Sequence, residues 1–186
     1  MVDVGFHYTL GSYIRSNIFI LEKMKILRGM HLCIDQFTGI WSGKPIERKV
    51  TFTDSCRYNV GTEQQDWNKL FGMSFGFFPL FKQFQMHENS ARFGWRYNPS
   101  TDKIEVAPYL YTNGKREYAE TLGIEVFSCE IGKEYTMSIT PFASFVLYSI
   151  NSTKWALNQN IPSQKGFTAP LYFGGTCPAP HIIEVL

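Results

Sequence analysis

Asn89-Ser90-Ala91-Arg92-Phe93-Gly94-Trp95-Arg96-Tyr97-Asn98 is the stretch that decides the fold. In an extended strand, successive side chains point to opposite faces of the sheet. Ala91, Phe93, Trp95 and Tyr97 then share one apolar face, and Arg92 and Arg96 project from the other with Gly94 between them. A strand with one apolar face needs a second layer to cover it. The opposite face carries two guanidinium groups flanking a position without a side chain, which makes it a candidate binding surface.

The pattern continues on both sides. Asn98-Pro99-Ser100-Thr101-Asp102 is a turn, and residues 103–111 alternate again, with Ile104, Val106 and Leu110 opposite Glu105, Ala107, Tyr109 and Tyr111. Pro108 has no N–H to donate, so it predicts an edge position or a bulge. Asn113-Gly114 is the strongest hairpin signal in the chain and fits a type I′ turn. Upstream, residues 49–53 alternate, and residues 69–78 set Leu70, Phe71, Met73, Phe75 and Phe77 against Gly72, Ser74 and Gly76. Residues 79–88 read as an aromatic loop. Further strands are expected within 124–129, 134–140, 145–150 and 181–186. Short strands at close turn spacing, with little helical periodicity, predict an all-β fold: an antiparallel β-sandwich of jelly-roll or concanavalin-like type.

Residues 1–45 have a different character. Ile14, Ile18 and Leu21 fall at helical spacing among Glu22, Lys23, Lys25 and Arg28, which predicts a short N-terminal helix over 12–29. An irregular leader is the equal alternative. Gly39, Gly43 and Pro45 then predict turn and linker, so the expected division is a leader or docking helix at 1–45 and a sandwich domain at 46–186.

Composition narrows the function classes. A hydrophobic content of 44% supplies a full core, and an aromatic content of 16% favours pleated, half-buried surfaces. Lys+Arg 18 against Asp+Glu 16 leaves a net charge of +2, without the basic excess of a nucleic-acid binder. The apolar run at residues 18–21 is too short to span a bilayer or form a signal h-region. No membrane span and no nucleic-acid partner are therefore expected. Synthesis in the cytoplasm without a signal peptide is, and a later place in a virion is compatible with it.

The four cysteines, Cys33, Cys56, Cys129 and Cys177, form no Cys-x-x-Cys pair. Neither His31 with Cys33 nor Cys177 with His181 has further ligands close in sequence, so no metal or cofactor is expected. Glu125 with Glu130, and Glu117 with Glu120, do not give two carboxylates on one face of a strand as a retaining glycosidase would need. No nucleophile motif is present, so no catalytic residue is assigned. The candidate ligand-binding residues are Arg92, Arg96, His87, Tyr109 and Tyr111. Guanidinium groups make paired hydrogen bonds with planar anions, so an acidic sugar or another carboxylate is the expected chemistry. The competing expectation is that the arginines pair with Glu or Asp across the sheet.

Three segments carry a resemblance: Asp66-Trp67-Asn68-Lys69-Leu70-Phe71-Gly72, Asn89-Ser90-Ala91-Arg92-Phe93-Gly94-Trp95-Arg96, and Tyr172-Phe173-Gly174-Gly175-Thr176-Cys177-Pro178-Ala179-Pro180-His181. Together they resemble uncharacterised β-rich proteins of Bacteroidetes and their phages, over residues 48–186. The resemblance implies the β-sandwich and brings no catalytic residue with it. The acidic strand motif of concanavalin-like glucanases and the Arg-x-Glu-x-Arg type motif of alginate lyases are both missing. The expected function is a non-catalytic binding or structural module, either glycan-binding or a virion or surface-appendage subunit. Its partner would be a glycan or a protein subunit, a second copy of the chain included. The alternative is a polysaccharide-active enzyme, a lyase or a glycoside hydrolase, whose acid and base come from distant strands.

Overall fold

The computed structural model describes residues 23–33, 35, 39–76, 86–159 and 161–186. They form an antiparallel β-sandwich. The larger sheet runs β2 (Ile40–Trp41), β12 (Gly166–Ala169), β4 (Asn68–Ser74), β5 (Ser90–Asn98), β6 (Lys103–Thr112) and β7 (Lys115–Glu117), with β8 (Phe127–Cys129) also paired to β6. The smaller sheet runs β11 (Thr153–Asn158), β10 (Phe145–Ile150), β9 (Glu134–Pro141) and β3 (Ile46–Thr51). A two-stranded sheet joins β1 (Met24–Ile26) to β13 (Ile183–Val185). Every strand pair is antiparallel.

The alternation in β5 sets the layering. Phe93 and Trp95 are fully buried between the sheets. Trp95 packs against Phe52, Tyr58 and Phe173 at ring separations of 5.5, 5.9 and 6.1 Å. Phe93 meets Phe71 at 5.6 Å and, from the opposite sheet, Tyr148 at 5.3 Å. Val50, Met137, Ile139, Val146 and Ile150 complete the facing layer. Each such side chain contributes roughly 1.5–3 kcal/mol through removal of its apolar surface from water.

The proline in β6 sits in the interior of the sheet. It faces Phe93 of β5 on one side. On the other side, β8 pairs residues 104–106 and β7 pairs residues 110–112, so Pro108 falls in the gap between two partners. The missing N–H costs no ladder hydrogen bond there. Asn113 and Gly114 have φ of 49° and 77°, as a type I′ hairpin requires.

The N-terminal expectations are corrected where the structure describes them. Met24–Ile26 is a strand paired with Ile183–Val185, and residues 23–29 are not helical. Ile40–Trp41, in the expected linker, pairs with β12. Met24, Ile26, Cys33 and Trp41 are buried in the main core, so the described residues before Pro45 belong to the sandwich. The stripe positions Ile14, Ile18 and Leu21 lie outside the described residues with the rest of the expected helix, as does most of the expected aromatic loop at 79–88, of which residues 86–88 are helical.

Candidate ligand-binding site

The outward face of the larger sheet is built from the other half of the same alternation. In β5 and β6 the cross-strand pairs Arg92↔Tyr109, Gly94↔Ala107 and Arg96↔Glu105 lie on it. In β4, Lys69 stands beside Gly94 and Gly72 beside Arg92, with a register shift between them. Gly72 is required by close approach: a Cβ there would lie 2.1 Å from the Ala91 carbonyl oxygen and 2.7 Å from Arg92 Cα. The side-chain gap at Gly94 is filled from both sides, since a Cβ there would press on Trp67 at 3.0 Å and Tyr109 at 3.2 Å. Trp67, Ala107, Tyr109 and Ala119 form a second apolar cluster on this face. The short helix α1 (Ala119–Leu122) contributes to it and brings up Glu120.

The structure separates the two arginines. Arg96 is paired across the sheet: its Nε donates to Glu105 Oε2 at 2.7 Å, and its Nη1 donates to Glu120 Oε1 at 2.7 Å and to the Gln65 carbonyl at 3.0 Å. Its guanidinium also covers the Trp67 ring at 4.4 Å. Arg92 has no carboxylate partner among the described residues, although it is only 6% exposed. Its Nη2 donates to the Met86 carbonyl at 3.3 Å, and its Nε has no hydrogen-bond partner among the described residues. The faces of Tyr109 and Tyr111 lie 5.2 and 5.8 Å from the guanidinium carbon. Burial works against this charge and pulls its pKa down.

Arg92 lines an open pocket of about 520 Å³. Lys69, Arg116 and His87 share the pocket, with walls from Tyr109, Tyr111, Tyr172, Met86, Leu32 and Pro170. No carboxylate is among the described residues lining it. Lys69 is 9% exposed; its ammonium donates to the Gly174 carbonyl at 3.2 Å and lies 5.1 Å from the Tyr109 ring and 5.4 Å from the Tyr172 ring. Burial, with Arg92 adding to it, pulls its pKa down to about 8. Burial also lowers the pKa of His87, with smaller contributions from Arg92 and Lys69. His87 meets Tyr111 edge-on at 5.1 Å.

The sequence-predicted residues therefore divide. Arg92, His87, Tyr109 and Tyr111 come together in one pocket, and Arg96 stands outside it. Lys69, Arg116 and Tyr172 were not singled out. Arg116 could have been found: a two-residue turn at 113–114 puts residue 116 opposite Tyr111, on the same face. Lys69 offered a weaker signal, a cation inside an apolar strand. Tyr172 offered none, because an isolated bridge to Lys69 brings it in from far along the chain. Asn89 Oδ1 and the Glu88 carbonyl accept from the Asn113 and Gly114 amides at 3.0 and 2.9 Å, which fixes the 86–89 segment at the pocket rim.

No family model matches the chain, and no curated protein does. Among solved structures, the chain is similar to the carbohydrate-binding module CBM66 from Bacillus subtilis (11% identity, TM-score 0.39, covering 83% of this chain and 74% of that one). It is also similar to a GH16 protein of the Bacteroides ovatus mixed-linkage glucan locus (9% identity, TM-score 0.47, 88% and 76% covered). A third is galectin-1-L2 of Dario rerio (12% identity, TM-score 0.38, 80% and 91% covered). At these identities and scores the likeness does not extend to what this chain binds. No helix among the described residues is long and apolar enough to cross a membrane.

Proposed function

We propose that the protein is a glycan-binding module whose outward sheet face holds a carboxylate-bearing sugar, a hexuronate unit of an acidic glycan. The single observation that carries this reading is Arg92, buried at the pocket without a carboxylate partner among the described residues. A buried charge left unpaired is costly, and its cost is relieved when an anion binds. A guanidinium suits a planar carboxylate, which accepts two parallel hydrogen bonds from it. Tyr109, Tyr111 and Tyr172 supply the apolar surface against which a sugar ring can pack, and about 520 Å³ falls within the range of small-ligand sites. Of the binding forms expected from the sequence, this pocket favours the glycan over the assembly subunit.

Calorimetric titration with glucuronate oligosaccharides tests the reading. Binding should be saturable, and reduction of the carboxylates to alcohols should weaken it about a hundredfold, the scale of one charge-assisted contact to a buried arginine. Equal affinity for the reduced and carboxylated forms would refute it.

The pH dependence has a definite sign. Lys69 faces Arg92, Arg116, His87 and Asp66, and it loses its proton as pH rises through about 8. The pocket then loses one positive charge, so affinity for the anion should fall between about pH 8 and pH 10, while Lys69→Met should flatten that fall. Stability moves the other way. The unfolded lysine keeps its proton to about 10.5 and the folded one only to about 8, so the folded state gains stability as pH rises between those values. Titrations and melting curves across this range check both signs.

A further inference from the structure

Beside the pocket lies a second depression of about 250 Å³ on the same sheet face. The two share Lys69, Tyr109, Arg116 and Gly175, so they are contiguous. Their chemistry differs. The second depression carries two carboxylates, Asp66 and Glu120, together with Arg96 and the edge of the Trp67 cluster. Glu120 is committed to Arg96 and to the Trp67 Nε1–H, at 2.7 and 3.0 Å. Asp66 has no side-chain hydrogen-bond partner among the described residues, and its Oδ2 lies against Gly175, 2.6 Å from where a Cβ would stand. At the junction, Lys69 is more than nine-tenths buried with one oxygen partner among the described residues, although an ammonium has three N–H groups to donate.

Resting on the glycan reading above, we infer that the two depressions form one groove that reads an acidic sugar followed by a neutral one. The uronate carboxylate sits at Arg92. The neighbouring unit lies in the second depression, with its hydroxyls donating to Asp66. Lys69 donates to oxygens of both units at the linkage between them. Asp66, which has no ion-pair partner among the described residues, disfavours a second uronate there, whereas Glu120 is already paired with Arg96. The groove therefore selects polysaccharides in which acidic and neutral units alternate, against homopolymers of uronic acid.

Four probes titrated into the full chain test this: glucuronate, a tetrasaccharide alternating glucuronate with N-acetylglucosamine, tetragalacturonate and cellotetraose. The alternating tetrasaccharide should bind about tenfold tighter than glucuronate and about tenfold tighter than tetragalacturonate, and cellotetraose should be weakest. In Asp66→Ala the advantage of the tetrasaccharide over glucuronate should collapse towards one. Tetragalacturonate binding as tightly as the alternating tetrasaccharide would overturn the inference. An alternating tetrasaccharide no better than glucuronate would also overturn it, with the Arg92 pocket intact. If neither glucuronate nor any acidic oligomer binds, the glycan reading falls with it.

Discussion

Arg92→Met should strongly weaken binding of acidic glycans while leaving the protein at least as stable as before. The two effects have one cause. In the free protein the guanidinium is buried, its Nε is unpartnered and no carboxylate faces it among the described residues. Replacing a buried charged group with an apolar side chain of similar length is commonly neutral or stabilising by about 1–4 kcal/mol. Loss of the contacts to Tyr109 and Tyr111 offsets part of that, at about 0.5–1 kcal/mol or more each. The expected net change in unfolding free energy lies between zero and about 2 kcal/mol of stabilisation. Binding should weaken by about 2–5 kcal/mol, the range for losing one partner of a desolvated charge pair. Chemical denaturation and calorimetry on the same preparation read both. A variant that unfolds more readily and still binds would show that Arg92 serves the fold.

Arg96→Met should behave in the opposite way for stability, although it lies on the same strand face only four residues away. Its side chain is 13% exposed and that of Glu105 14% exposed, so this pair is largely shielded from water. Removing the cation leaves Glu105 with Asn98 Nδ2 at 2.7 Å and leaves Glu120 with the Trp67 Nε1–H. It also strips the cover from the Trp67 ring. Breaking a well-buried pair costs about 3–5 kcal/mol, and the partial exposure of Glu120 brings the expected destabilisation to about 2–3 kcal/mol. Urea denaturation with an unchanged m-value measures this directly. A loss below about 0.5 kcal/mol, typical of a surface pair, would contradict it.

These two arginines show how far the chain could be read before its structure was known. Period-two alternation is a local property, so Phe93 and Trp95 identified the buried face and Arg92 and Arg96 the outer one. Which arginine meets a carboxylate is a matter of register. Arg96 finds Glu105 directly opposite because four residues close the turn between β5 and β6. The same counting through Asn113-Gly114 puts Arg116 beside Tyr111. Lys69 and Tyr172 could not be placed by counting, since β4 carries a register shift and Tyr172 arrives through an isolated bridge. Strands β1 and β2 were missed because two or three residues are too few to display a period. Their partners, β13 and β12, lie more than a hundred residues away.

The central claim is that Arg92 receives the anion, and its unpartnered Nε–H is the reporter. Its resonance in a proton–nitrogen NMR spectrum, assigned by its disappearance in Arg92→Met, should shift downfield and saturate as glucuronate oligosaccharide is added. Carboxyl-reduced oligosaccharide should leave it in place. A resonance that stays still while the glycan binds and shifts signals elsewhere would contradict the account.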